Sequence, residues 1–327
     1  MRDGVLYAVT DEGVRLPVID VTNAAFAVTA TDEELAAKAE QYIQEAAQPR
    51  EIPEALREAL RNSMLGRGLM AASGTFLDGM STYLLKLGPE NLGAEASPID
   101  RRIAASFPAF TARVRLHDMA RLMAEGLART AGVERRRRVC LVNIGGGAGA
   151  DSWNALIRVC GEKAESLKRR EIVIAVMDLD ARGPSFGVRA VAALCAPEGP
   201  LSGLDIVVRY LSYEWSDAER LRMALEVLNA GDAACGISSE GGLFEYGSDE
   251  EIVANLRVLH AGTARDAVVV GSVTREGGVV RASLIGNRVT TRPRTMEAFR
   301  VLAERGGWSV EETIERPFSY NVRLVKA

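Results

Sequence analysis

Five apolar runs, VCLVNI, IVIAVMD, LDIVVRYL, DAACGIS and DAVVVGSV, succeed one another between Val139 and Val273, with helical patterns between them. A strand that is apolar at nearly every residue must be covered on both faces, and a helix-length connection lets consecutive strands run parallel. The spacing predicts helices at about 151–170, 184–195, 217–229 and 249–261, and hence a doubly wound parallel sheet. The tail breaks this rhythm. A short strand is expected at Val279–Leu284, then a helix over Thr295–Arg305 and the strands WSVEETI and SYNVRLVKA. The linker ERPF is too short for a parallel crossover, so the last two strands pair antiparallel.

Ahead of Val139 the pattern is helical. Thr31 and Glu34 form a capping box for a helix reaching about Ala47, closed by Pro49. Pro53 opens a second helix, EALREALRNSMLGRGLMAASG. The segment TFLDGMSTYLLKLGPENLG is helical in its middle and stops at Gly88-Pro89. After a polar turn at Ser97 to Asp100, FTARVRLHDMARLMAEGLARTAG is a strong amphipathic helix. The first stretch, Asp3 to Phe26, reads as a small hairpin or an extended arm. Residues 1–130 are therefore expected to form a mainly helical N-terminal cap or lid, and residues 131–327 the sheet domain.

Charge narrows the partners. Forty basic residues against 44 acidic ones leave a net charge of -4, which argues against a polyanionic partner such as nucleic acid. The basic run Arg135 to Arg138 reads as a solvated helix end. No apolar window reaches bilayer length, and MRDGVLYAV has no signal-like stretch, so no membrane partner and a cytoplasmic location are expected. Cys140, Cys160, Cys195 and Cys235 lack paired spacing and read as core thiols; no His, Cys and acid cluster has metal-ligand spacing.

The chemistry centres on NIGGGAGAD. Gly145, Gly147 and Gly149 alternate immediately after one strand and before a helix, where backbone must approach a ligand closely. A phosphate-binding loop would need Lys followed by Ser or Thr, and GADSW has neither. A dinucleotide fingerprint is met formally by Gly145, Gly147 and Ala150, but its acidic partner is due about 20 residues on, and Asp178 and Asp180 come later.

The run resembles the class I S-adenosylmethionine-dependent methyltransferases, which carry an acid, any residue, then G-x-G-x-G, followed by an acid at the end of strand two. Asn143 stands here in place of the first acid. The resemblance implies a Rossmann-like α/β sheet with an antiparallel C-terminal strand pair, and S-adenosylmethionine as cofactor. It assigns cofactor contacts to Asn143, Gly145, Gly147, Gly149, Asp178 or Asp180, and to Ser212 and Tyr213 in YLSYEW, where Trp215 is a second stacking candidate. In the loop SSEGGLFEY, Ser239, Glu240 and Tyr246 fall where the transferred group is handled. From the cap, Tyr83, with Asp78, Ser81, Thr82 and Lys86 around it, would complete a lid over a small-molecule substrate. Arg113, Arg115 and Asp118 could salt-bridge into the same cleft, His117 could face it, and His260 reads as a helix-end residue.

Three functions stay open at this point. One is methylation of a small molecule. Another is intramolecular cyclisation of the cofactor to azetidine-2-carboxylate and methylthioadenosine, which altered contacts at Asn143 would suit. The last is a non-catalytic S-adenosylmethionine-binding protein. The helices flanking the cleft are equally suited to a homodimer contact.

Overall fold

The computed structural model describes residues 4–47, 53–72, 77–129, 138–284 and 291–327. Pro49, Phe76 and Arg135 to Arg137 lie outside them. The chain opens with a two-stranded antiparallel hairpin, β1 (Tyr7–Val9) and β2 (Arg15–Pro17). Next comes α1 (Asp32–Ala46), which starts as its capping box requires: Thr31 Oγ accepts from Glu34 N at 3.2 Å, and the Glu34 carboxylate accepts from Thr31 N at 3.0 Å.

The expected long second helix is two helices, α2 (Glu54–Asn62) and α3 (Met64–Ala71). Ser63 breaks them by adopting extended backbone and accepting from Gly66 N at 2.9 Å, so it caps the second helix instead of continuing the first. α4 (Gly79–Leu87) is capped by Asp78. Ser97 to Asp100 is no turn: Ser97 and Asp100 form a capping box for α5 (Pro98–Ala105), with Pro98 in its first turn. α6 (Phe107–Arg129) then runs for 23 residues.

The sheet follows: β3 (Arg138–Ile144), α7 (Ala150–Leu167), β4 (Glu171–Asp178), α8 (Arg182–Leu194), β5 (Asp205–Ser212), α9 (Ala218–Val227), β6 (Ala234–Ser239), α10 (Leu243–Tyr246), α11 (Asp249–Gly262) and β7 (Val268–Thr274). Arg138 therefore begins a strand, where it pairs with Glu171 at 2.7 Å across the parallel register. The closing elements are α12 (Gly278–Leu284), α13 (Met296–Arg305), β8 (Trp308–Glu315) and β9 (Ser319–Lys326). α12 replaces the strand expected there. A short apolar run such as VVRASL does not distinguish strand from helix by itself, and Val279, Val280 and Ala282 are all buried rather than alternating.

Strand order is β5-β4-β3-β6-β7-β9-β8, with the first five parallel and β9 antiparallel to both neighbours. Connections leave β3 toward one edge through β4 and β5, and return to its other side through β6 and β7. The crevice for a ligand opens where that direction reverses, above the carboxyl ends of β3 and β6.

Successive residues of β3 feed opposite layers. Val139 and Leu141 join the core with Trp153 of α7 and Phe186 of α8, whereas Cys140, Val142 and Ile144 join the core with Leu221 of α9 and Phe299 of α13. The N-terminal helices share the first of these cores: Leu116, Met119, Leu122 and Met123 of α6 pack in it beside Val139 and Leu141. Among the described residues no helix is long and apolar enough to cross a membrane.

Candidate functional site

The glycine turn is fastened to the neighbouring strand. Gly145 N donates to Met177 O at 2.8 Å, and Gly147 N donates to Asp178 Oδ2 at 2.8 Å. Asp178 Oδ1 accepts from Asp180 N at 3.0 Å. The carboxylate and the turn thus form one unit at the ends of β3 and β4. Burial pushes the Asp178 carboxyl above its ordinary value, and the backbone N–H bonds work against that shift.

Gly147 has φ +54°, and a β-carbon there would stand 3.2 Å from Gly79 Cα and 3.3 Å from Gly79 O. In the other direction, a β-carbon on Gly79 would lie 2.8 Å from Gly147 Cα. The first residue of α4 therefore rests on the turn with no room for a side chain between them. This contact sets α4 directly over the crevice.

The result is a cleft of about 270 Å³, close to the lower end of small-molecule sites. Its floor is the turn from Gly145 to Ala148 with Asp178 and Leu179. One wall is Tyr213, Glu214 and Trp215; Glu240, Gly241 and Tyr246 form another. Leu77, Thr82, Tyr83 and Lys86 cover it. The Tyr213 hydroxyl donates to Asn255 Oδ1, and Asn255 Nδ2 donates to Trp215 O at 2.7 Å, so α11 holds the aromatic wall in place.

Lining and backing the cleft is a buried charge cluster drawn from α4, α6, α7, α10 and the end of β6. Lys86 Nζ of α4 and Arg115 Nε of α6, the latter at 2.9 Å, take separate oxygens of Glu240 just beyond β6. Arg115 Nη1 also lies 3.6 Å from Glu245 Oε1, which accepts from Ser272 Oγ. The Ser238 hydroxyl donates to Asp151 at the start of α7.

Burial opposes the charge on Glu240, but the two cations outweigh it and hold the carboxyl below its usual range. Lys86 is likewise disfavoured by burial, yet Glu240 and Asp151 raise it. Glu240 is therefore a carboxylate with both oxygens committed, better suited to riveting α4 and α6 to the sheet than to removing a proton. Tyr246 is half-buried and desolvation pushes its phenol up, so it is a hydrogen-bond donor at neutral pH.

Asp151 is different: burial, with the Glu240 charge adding to it against the pull of Lys86, pushes its carboxyl up to about 6. A folded value above the ordinary 3.8 means that the native state binds this proton more tightly than the unfolded chain does. The stabilisation is complete below about pH 4 and is lost as pH rises through about 6. Asp151→Asn should remove that fall. Urea midpoints of both proteins across this interval measure it, and parallel pH curves would show that Asp151 does not titrate there.

Among the residues expected in the site, Gly145, Gly147, Asp178, Tyr213, Glu240, Tyr246 and Tyr83 all line the cleft. Tyr83 does so with its ring alone, because its hydroxyl donates to Pro17 O at 2.7 Å and accepts from Ile19 N at 3.0 Å. That phenol anchors α4 to the N-terminal segment and has no free role in chemistry. Gly149 has φ +79° and caps α7 behind the turn. Ser239 is buried and accepts from Phe244 N at 3.4 Å, Ser212 is exposed at the end of β5, and neither lines the cleft.

Asp180 Oδ1 accepts from Arg182 N and Nε, placing Asp180 at the start of α8 rather than in the lining. Asn143 is fully buried beneath the turn, with Oδ1 accepting from Ser152 Oγ at 2.6 Å. It supports the loop and does not reach the cleft. His117 faces Phe26 O, Asp118 binds Arg316 and Asn321, and Arg113 bonds Ala104 O; only Arg115 of that helix joins the charge cluster. Asp151, Glu245 and Arg292 were not singled out from the sequence. Asp151 directly follows the glycine run and Glu245 follows β6, positions that a parallel sheet places at its ligand edge.

No protein-family model matches the chain, and no curated protein matches it. Among solved structures, a possible exported protein from Bordetella parapertussis aligns with a TM-score of 0.59 at 16% identity, covering 91% of this chain and 97% of its own. The pyocyanin biosynthetic protein PhzM aligns at a TM-score of 0.44 and 16% identity, over 92% and 74% of the two chains. The N,N-8-amino-8-demethyl-D-riboflavin dimethyltransferase RosA from Streptomyces davawensis gives 0.42 and 14%, over 90% and 70%. With its strand order and its glycine turn between β3 and α7, the chain has a Rossmann-like α/β fold with a mixed sheet.

Proposed function

We propose that the protein binds S-adenosylmethionine in this cleft and transfers its methyl group to a small molecule. The observation that carries the reading is the joint unit of glycine turn and Asp178, set at the carboxyl ends of adjacent parallel strands. The lining suits a nucleoside sulfonium. The turn leaves open the volume that side chains would fill. Each Asp178 oxygen spends one lone pair on a backbone N–H and keeps another for a ribose hydroxyl. Leu179, Tyr213 and Trp215 offer apolar and aromatic surface for a base. The cleft presents Asp178, Glu214, Glu240 and Glu251 against Lys86 and Arg292, a balance that favours a cation.

When bound, S-adenosylmethionine supplies a methyl carbon made electrophilic by its sulfonium. The chain's own part is placement. The turn and Asp178 fix one side of the cleft, α4 covers it and keeps water out, and α11 locks the aromatic wall. Alignment of this kind accounts for several kcal/mol of barrier lowering in favourable cases. Because both Glu240 oxygens are committed and Tyr246 stays protonated, the residues orient an acceptor that is already nucleophilic, such as a neutral amine.

The cyclising alternative draws on altered contacts at Asn143 near the methionine amine and on the cap with the SSEGG loop. Asn143 lies beneath the turn, and among the described residues the cleft lining does not favour that reading over methyl transfer. The deciding experiment incubates the protein with S-adenosylmethionine, with and without a library of small amines and phenols, and identifies products by mass. S-adenosylhomocysteine formed only with an acceptor supports methyl transfer; methylthioadenosine formed without one overturns it. Asp178→Ala should weaken S-adenosylhomocysteine binding by about 1–3 kcal/mol, or roughly 5- to 150-fold, by calorimetry. Unchanged affinity would remove Asp178 from the ribose.

A further inference from the structure

Among the described residues, two cations line the cleft, and they are not equivalent. Lys86 is buried and ion-paired with Glu240. Arg292 is exposed at the cleft, and among the described residues its guanidinium makes no hydrogen bond or ion pair. Its backbone, in contrast, is fixed. Arg292 N donates to Glu245 O at 2.7 Å, and two residues on, Arg294 is buried with Nε on Asp249 at 3.0 Å and Nη2 on Gly247 O at 2.7 Å. An unpaired guanidinium on a rigid support, beside the donor Tyr246, is a preorganised receptor for an oxyanion.

We infer that the acceptor is a small molecule bearing a carboxylate, with an aromatic or apolar body, and that Arg292 receives the carboxylate while Tyr246, Trp215 and Leu77 contact the body. A single negative charge suits the place better than a phosphate dianion, since four carboxylates already line so small a cleft. Arg292 acts here as a specificity-determining residue and takes no part in the chemistry. The inference rests on the reading that the cleft takes S-adenosylmethionine beside an acceptor.

The test uses the full chain saturated with S-adenosylhomocysteine, with benzoate and its neutral counterpart benzamide as probes. Trp215 reports binding, because Trp153 and Trp308, the other two tryptophans, are fully buried away from the cleft. Benzoate should bind at least ~10-fold more tightly than benzamide, the expected size for a charge-assisted pair. Arg292→Gln should abolish that preference while leaving S-adenosylhomocysteine affinity within about twofold of the original. No benzoate preference in the unaltered protein overturns the inference, as does a preference that survives Arg292→Gln. An equal loss of S-adenosylhomocysteine affinity in Arg292→Gln also overturns it, by assigning the arginine to the cofactor's own carboxylate. Failure of the unaltered protein to bind S-adenosylhomocysteine is a separate result, which removes the proposed function and the inference with it.

Discussion

Glu240→Gln should lower folding stability by about 3–5 kcal/mol, the cost of leaving a buried charge without its partner. The substitution keeps the shape of the side chain, removes its charge and turns one of its two accepting oxygens into an NH2 donor. Lys86 and Arg115 would remain in place, with side chains 7% and 19% exposed, facing an amide that cannot neutralise either. Glu245 lies 3.6 Å from Arg115 and offsets part of the loss; Asp151, already raised to about 6, gains a reason to ionise. The measurement is the urea midpoint at neutral pH with an unchanged m value. Adding Lys86→Met should recover part of the loss, because an apolar side chain removes the stranded cation. A penalty below about 1 kcal/mol would mean that solvent screens the cluster as it screens a surface ion pair.

That cluster also marks the limit of what the sequence discloses. The parallel strands and the antiparallel tail are legible because the apolar runs and the four-residue linker leave few topologies open. The glycine turn is legible because few other roles require that spacing. Long-range pairing is not. Lys86 and Arg115 lie 154 and 125 residues from Glu240; the close approach of α4 to Gly147 places the first, and the packing of α6 in the sheet core places the second. Tyr83 illustrates the converse: its ring lines the cleft, but its hydroxyl is spent on the backbone of Pro17 and Ile19. Asn143 occupies a motif position whose neighbours touch the cleft, yet strand alternation and the tight turn direct it to Ser152 beneath the loop. Motif spacing locates backbone well; which way a side chain points depends on packing partners from distant segments.

Gly147→Ala separates the turn's backbone requirement from its role as a floor. At φ +54° a methyl-bearing residue incurs roughly 1–2 kcal/mol of backbone strain. The new β-carbon would also press on Gly79 at 3.2–3.3 Å, so α4 would have to give way by a few tenths of an ångström at the residue that closes the cleft. Gly13→Ala provides the control, since it has φ +83° and nothing within 4 Å of its added carbon. Both variants should lose similar stability from the dihedral cost, with Gly147→Ala losing more by the crowding. Only Gly147→Ala should lose ligand affinity, by at least ~10-fold for S-adenosylhomocysteine in calorimetry, because binding would have to overcome displaced backbone on both sides of the cleft. If the two variants bind S-adenosylhomocysteine alike, the ligand does not lie on the glycine turn. The space that α4 and the turn keep free of side chains would then serve helix packing alone.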